Sequence, residues 1–347
     1  MHSQKKSLLI IILLLVSCSS LNSVELKQPH SDLSLLLIEA EKTQNRLITF
    51  LNDIENKRIV INPGVKQMKT ITQLLDTRWN GDASRITDYA RATIGVNTIK
   101  DVYDCMNSFK NSSLQIIDIK DNFFFPTPEN YRDINIVFKD TENGMLGEVQ
   151  INAMPIIDYK HTKGHKLFDQ IRNIRANAKI ENRDLTSEEL NLLQKLTAES
   201  KIGYDTAFNE SLIINDKQIR VGVYAVIIND DKVLLTKTLA GSQSIMNFPG
   251  GGVTIDEGFA DALQRECQEE IGCSVQIEEL IYSSETLYCN PEFPDNYMYN
   301  LYFKTIPTTD IQYDIQESIW CSIDELPLSN MLPIDKEFIM FLKKDKN

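Results

Sequence analysis

Residues 265–273 read RECQEEIGC and set Glu266, Glu269 and Glu270 three and four positions apart on a helix-forming segment. Like charges at that spacing repel by roughly a few tenths of a kcal/mol per pair, so a solvated helix gains nothing from them. A cluster of hard oxygens suits Mg²⁺ or Mn²⁺. Such an ion cancels the repulsion, attracts a pyrophosphate, polarises its phosphorus and lowers the pKa of a bound water. One carboxylate left partly unneutralised can then accept the proton of that water. Just upstream, Gly250-Gly251-Gly252 lets backbone approach an ion closely.

These residues need a helix to hold them. Over Phe259–Ile271 the apolar residues Ala260, Leu263, Cys267 and Ile271 recur at helical spacing and form a stripe able to face a core. The glutamates sit beside that stripe within a turn of one another. Read together, Gly251, Glu257, Arg265, Glu266, Glu269, Glu270 and Gly272 resemble the signature of the Nudix hydrolases, with Cys267 and Cys273 in slots usually held by large aliphatics. The resemblance runs from about Val221 to Phe341. It implies an α/β/α sandwich in which Glu266, Glu269, Glu270 and the Gly250 carbonyl hold the metal. It also implies a Glu257–Arg265 ion pair tying the loop to the helix. A later acid would complete catalysis; Glu285, Glu292, Asp314 and Glu317 are candidates, and Glu317, shortly before Trp320, is preferred. The plainer reading, a solvent-facing acidic helix, explains neither the glycines nor Arg265.

Further upstream, GDASRITDYARATI, IKDNFFFPTPENYRDINIVF, GEVQI and GHKLFDQIR resemble RelA/SpoT-type nucleotidyltransferase domains, over about Lys66 to Ala207. Those enzymes move a pyrophosphate from ATP onto the 3′-hydroxyl of a guanine nucleotide with Mg²⁺. By that resemblance Asp88 holds the metal, Glu148 is the second acid or the base, and Tyr131 stacks on a nucleobase. Lys66, Arg85, Lys120 and Arg132 are the expected phosphate contacts. The segment departs from the synthetase pattern. Glu129-Asn130-Tyr131 replaces Asn-Gly-Tyr, Asn135 stands where a His is usual, and Thr93 stands where an Arg is usual, with Arg91 two positions earlier. These changes put guanosine tetraphosphate synthesis in doubt and mark a divergent branch. His161 and His165 are four apart on a helix but have no third ligand in view, so packing or phosphate contact is favoured over a metal.

Around these motifs, 347 residues with 42% hydrophobic content leave room for two packed domains. The net charge of −13 argues against binding a nucleic acid polymer but is compatible with a small anionic ligand held through a local metal; a small nucleotide is the partner the two resemblances imply. Lys5 and Lys6 precede the apolar run Leu8–Val16 and Ser17-Cys18-Ser19-Ser20, the order of a secretory leader. The run is shorter than the ~20 residues of a bilayer span. Leu15-Val16-Ser17-Cys18 also resembles a lipoprotein box, implying a lipid anchor at Cys18 and a membrane location; the alternatives are a plain signal peptide, an uncleaved anchor, or a start placed too far upstream on a cytoplasmic chain. The other five cysteines share no CxxC-type spacing and read as buried free thiols.

The expected organisation is a leader over 1–20, a RelA/SpoT-like mixed sheet with helices over 32–209, and a Nudix domain over 216–347, an α/β (α+β) chain. The linker is expected over Asn209–Arg220, with the boundary near residue 212. Helices are expected over Ser31–Lys57, Lys66–Trp79, Ile99–Phe109, Pro155–Ala178 and from Thr186 to about Phe208, the last with a Thr186–Glu189 capping box. The functional expectation is a metal-dependent pyrophosphohydrolase of a nucleoside diphosphate linked to another group. Its rivals are a nucleotide pyrophosphokinase and a non-enzymatic, membrane-tethered nucleotide sensor.

Overall fold

The computed structural model describes residues 25–53, 58–240, 243–289, 294–313 and 317–345. It separates into two compact units that part between Asp216 and Lys217. The expected leader and Cys18 lie outside the described residues, and among the described residues no helix is long and apolar enough to cross a membrane.

In the N-terminal unit the order is α1 (Leu33–Asp53), β1 (Ile59–Ile61), α2 (Met68–Leu74), β2 (Ala90–Val96), α3 (Ile99–Lys110), β3 (Gln115–Asp121), β4 (Ile134–Lys139), β5 (Leu146–Ala153), α4 (Met154–Tyr159), α5 (His165–Ile180), α6 (Ser187–Glu210) and β6 (Ile213–Ile214). Five strands form a mixed sheet in the order β1-β2-β5-β4-β3, with β2 parallel to β5 and the other pairs antiparallel. Side chains alternate across a strand. Ala92, Ile94, Val149, Ile151, Ile134 and Ile136 are therefore buried together, while Arg91, Thr93, Glu148, Gln150 and Asn135 share the other, half-open face. A π turn at Lys160–Gly164 joins α4 to α5, so the helix expected over Pro155–Ala178 is continuous but locally widened. Thr186 caps α6, its hydroxyl accepting from the Glu189 N–H while the Glu189 carboxylate accepts from the Thr186 N–H.

The C-terminal unit comprises β7 (Lys217–Asn229), β8 (Lys232–Ala240), β9 (Gln243–Asn247), β10 (Gly250–Gly252), α7 (Phe259–Ile271), β11 (Val275–Ser283), β12 (Tyr288–Cys289), β13 (Asn296–Pro307), β14 (Ser318–Ser322) and α8 (Pro333–Asp345). Strand β7 runs parallel to β13 from Gln218↔Asn296 to Ile227↔Thr305 and antiparallel to β10. Beyond β13 lies β11, and beyond β8 lies β14, so the segment around Trp320 is a strand. The core under this sheet is aromatic: Tyr224, Phe248, Tyr282, Tyr302 and Phe338 cluster, with the Tyr302 and Phe338 rings stacked at 4.0 Å. The chain expected as a linker is largely ordered structure, because α6 continues to Glu210 and β7 already begins at Lys217. Among the described residues Cys105, Cys267, Cys273, Cys289 and Cys321 are free thiols; the first three are buried and the last two half-buried.

Candidate functional site

Helix α7 starts after Gly258 and stops at Gly272, whose left-handed backbone (φ 58°) ends the helix and lets the chain turn toward β11. Phe259, Ala260, Ala262, Leu263, Cys267 and Ile271 are buried, and this fixes the helix rotation. Glu266 is consequently aimed at the glycine strand β10. A Cβ on Gly251 would stand 2.5 Å from Glu266 Cδ, so only glycine leaves room for that carboxylate. Glu270 points to the other end of the strand, where the Gly250 N–H donates to its Oε2 at 2.9 Å and the Thr236 hydroxyl lies 3.3 Å away. Burial pushes the Glu270 carboxyl up to about 7; the Gly250 hydrogen bond opposes this and the Glu266 charge adds to it. Glu269 is mostly exposed.

Arg265 organises the rest. It pairs with Glu257 through two bonds of 2.8 and 3.2 Å, donates to the Gly252 carbonyl at 3.1 Å, and reaches Glu266 at 2.7 Å and Glu269 at 3.4 Å. Burial raises the Glu257 carboxyl, but the Arg265 and Thr254 hydrogen bonds outweigh it and leave that carboxyl below its ordinary range. The repulsion among the glutamates is thus partly offset from within the chain. Among the described residues no three His, Cys, Asp or Glu side chains already converge as a ligand shell, since Arg265 draws Glu266 and Glu269 while Glu270 turns to Gly250. The donor chemistry still suits a hard divalent ion: Glu266, Glu269 and Glu270 are oxygen donors on one helix, and the Glu266 carboxylate occupies the space that a Cβ at Gly251 would fill.

Of the later acids, Glu292 and Asp314 lie outside the described residues. Glu285 is exposed, and its N–H donates to Glu337. Glu317 is paired with Lys237 at 2.5 Å. Lys237 follows Thr236 on β8, so alternation puts the Glu317 pair on the face away from Glu270. This differs from the preference for Glu317; its strand neighbour supplies the nearer cation.

In the N-terminal unit, Asp88 stands just before β2 and is held by the buried Lys66, with Arg91 at 3.8 Å. Glu148 sits beside Arg91 in the β2–β5 register. Its oxygens accept from the Thr87 hydroxyl and, at 3.0 Å, from Asn135. Burial raises the Glu148 carboxyl and the Asp88 charge raises it further, so the two acids share one site with Lys66 and Arg91. Two carboxylates are enough for Mg²⁺, which keeps much of its water and takes the remainder of its shell from phosphate. Lys120 is exposed on β3, opposite Asn135.

Two residues expected to contact ligand are internal supports. Arg132 is 1% exposed, paired with Asp205 at 3.3 Å and stacked over Phe208, so it cannot reach a phosphate. The Tyr131 hydroxyl donates to Asp133 at 2.8 Å and accepts from Lys160 at 2.9 Å, and its ring meets Tyr204 edge-on at 5.3 Å. With its ring and hydroxyl engaged, Tyr131 is poorly placed as a free stacking platform. Arg85 pairs with Glu25 and lies over Trp79, so its guanidinium is already engaged within the unit. His161 and His165 are exposed, and His165 faces Asp169 at 3.8 Å. Sequence reasoning missed Thr236, a hydroxyl at an inward position of an apolar strand, and Lys160, whose signal is its place at the π turn.

Residues 218–342 match the family model of the NUDIX domain. The match spans most of the C-terminal unit. An RNA pyrophosphohydrolase of Orientia tsutsugamushi (strain Boryong) is 32% identical over 91 residues, 26% of this chain and 56% of that protein. An RNA pyrophosphohydrolase of Coxiella burnetii (strain RSA 493 / Nine Mile phase I) is 36% identical over 75 residues, 22% of this chain and 32% of that protein. The chain therefore spans about half the length, or less, of the curated relatives it matches. Among solved structures, the small alarmone synthetase 2 from Bacillus subtilis aligns over 50% of this chain and 91% of its own, at 21% identity and a TM-score of 0.38.

Proposed function

We propose that the chain is a divalent-metal-dependent pyrophosphohydrolase that cleaves a nucleoside diphosphate linked to another group, releasing a monophosphate. The observation that carries this reading is the single NUDIX loop and helix bearing Glu257, Arg265, Glu266, Glu269 and Glu270 against Gly251. Glu266, Glu269 and Glu270, with the Gly250 carbonyl, would hold Mg²⁺ or Mn²⁺. When bound, that ion supplies Lewis acidity and a more acidic water. The chain does the rest. Arg265 fixes the loop to the helix, and the Gly250 N–H and Thr236 hydroxyl orient Glu270. A carboxylate that the ion leaves partly unneutralised would accept the proton of that water. The name of the relatives favours a second substrate, the 5′ end of RNA, while the charge of −13 disfavours a long polyanion.

The purified chain with Mg²⁺ or Mn²⁺ is expected to hydrolyse at least one member of a panel of nucleotide sugars, dinucleoside polyphosphates, nucleoside triphosphates and 5′-triphosphorylated RNA. Glu269→Gln should lower that turnover at least ~100-fold with the fold intact. Undiminished metal-dependent turnover by Glu269→Gln would falsify the assignment.

The N-terminal unit is read as a RelA/SpoT-like nucleotide-binding domain, with Asp88, Glu148, Lys66 and Arg91 around one polar site. Pyrophosphokinase activity there predicts AMP release from ATP in the presence of GDP or GTP, abolished by Glu148→Gln. An anchor at Cys18 predicts palmitate labelling and membrane fractionation, both lost on Cys18→Ser.

A further inference from the structure

Helix α5 stands apart in charge. It carries four Lys or Arg and one acid in a chain of net charge −13, while α6, packed on it, carries five acids and two lysines. Its residues fall in two parallel stripes. Leu167, Ile171, Ile174 and Ala178 are spaced four, three and four apart and turn inward, where the first three pack with Leu193 and Leu196 of α6. Phe168, Arg172, Arg175 and Lys179 repeat that spacing one position later, so they share a second face about 100° round the helix. That face is open. Arg175 and Lys179 are exposed and have no ion-pair partner among the described residues. Arg172 meets Asp169 at 2.9 Å and lies 5.8 Å from the exposed ring of Phe168. At the end of the helix, beside Lys179, Ile180 is 71% exposed.

Cations flanked by bare apolar side chains suit a partner that is anionic at its surface and apolar just beneath. A bilayer with acidic headgroups offers both: the guanidinium and ammonium groups meet lipid phosphates while Phe168 and Ile180 enter the acyl boundary. From Phe168 to Lys179 the stripe runs about 16 Å along one side of the helix, which suits a flat partner. A nucleic acid strand would pair with the cations but leave Ile180 in water. The leader expected over residues 1–20 points the same way, because a single acyl chain binds a membrane only marginally and a basic patch is a usual second signal.

We infer that the outer face of α5 is a docking surface for a bilayer that contains anionic lipid, with Arg172, Arg175 and Lys179 against the headgroups and Phe168 at the acyl boundary. The inference rests neither on the hydrolase reading nor on an anchor at Cys18, since the stripe acts with or without a lipidated terminus. An anchor would only raise the time the stripe spends near its partner.

Vesicle co-sedimentation of the full chain tests it. Vesicles of phosphatidylcholine alone are compared with vesicles of phosphatidylcholine and phosphatidylglycerol in equal parts. The mixed vesicles should bind more tightly by roughly ten- to hundredfold, and about 0.5 M salt should remove most of that gain. The double variant Arg175→Glu, Lys179→Glu should abolish the gain; both side chains are exposed and unpaired, and an unchanged thermal melt checks that the fold is kept. Lys166→Glu, on the opposite flank of α5, should leave the gain within about twofold, which separates the stripe from net charge and from the leader's own lysines. Phe168→Ser should weaken binding to the mixed vesicles without changing its salt dependence. Equal binding to the two vesicle types, a gain that survives the double variant, or a gain lost as fully in Lys166→Glu overturns the inference. Binding of single-stranded RNA that the double variant abolishes, with no gain on mixed vesicles, also overturns it and assigns the stripe to a nucleic acid instead. Turnover enters none of these readouts, so the hydrolase reading stands or falls separately.

Discussion

Arg265 meets Glu257, Glu266, Glu269 and the Gly252 carbonyl at once, a geometry that only a planar guanidinium provides. Arg265→Lys keeps the charge but cannot keep the two-bond grip on Glu257. We expect it to behave nearly as badly as Arg265→Ala, each lowering kcat by roughly 10–100-fold with a smaller effect on KM; near-full activity in the lysine variant would show that charge alone suffices. Asp335 offers a separate prediction. It is 1% exposed beneath Tyr302, whose hydroxyl donates to it at 2.6 Å, and burial raises its carboxyl to about 7. Between about pH 4 and 7 the folded chain therefore keeps a proton that the unfolded chain releases. Stability should fall as pH climbs through that window and level off above it. Asp335→Asn retains an acceptor for Tyr302 without the charge. Urea midpoints at pH 5 and pH 8 should show the variant gaining on the parent as pH rises, by a few kcal/mol at most. At this scale the sequence exposes residue type and spacing but not distant partners. Glu266, Glu269 and Glu270 could be found from their spacing. The burial of Arg132 could not, because its counter-charge, Asp205, lies 73 positions away.

The glycines of β10 act as an element. Gly250, Gly251 and Gly252 pair with Tyr224, Val223 and Gly222, so the run expected to let backbone approach an ion is a short strand packed against α7. Periodicity predicts α7 because an apolar stripe repeats every three to four residues. It cannot predict a strand made of glycine, which has no side chain to alternate. Gly251→Ala should displace Glu266 and lower metal-dependent turnover at least ~10-fold, since its Cβ would stand 2.5 Å from that carboxylate. Gly252→Ala is the control: its Cβ would meet only the end of Arg220, at 3.6 Å. Assaying the two side by side separates lost space from lost flexibility. Strands β9 and β14 escaped the sequence reading for a related reason. They are short segments paired to β8, without the long apolar alternation that marks β7.

Across the whole molecule, two polar sites sit in two separately packed units. Their chemistry should be separable by single substitutions in the full chain. Glu148→Gln is expected to change nucleotide binding or AMP release and to leave phosphoanhydride hydrolysis within about twofold, while Glu269→Gln does the reverse. Steady-state turnover and equilibrium dialysis with a non-hydrolysable nucleoside triphosphate check this; loss of both functions in either variant would mean that the units depend on one another. The division into an N-terminal and a C-terminal α/β unit was visible in the change of texture near residue 212. The precise hand-over was not, because α6 and β7 extend into the polar stretch from both sides.

The parallel pairing of β7 with β13 matters during synthesis. Gln218 meets Asn296 and Ile227 meets Thr305, so the central strand of the C-terminal unit waits for nearly eighty more residues before one of its edges is covered. Until they leave the ribosome, VGVYAVII presents an open, apolar backbone edge to any neighbouring nascent chain. A chain that ends before Asn296 should therefore accumulate in inclusion bodies rather than as a soluble half-domain.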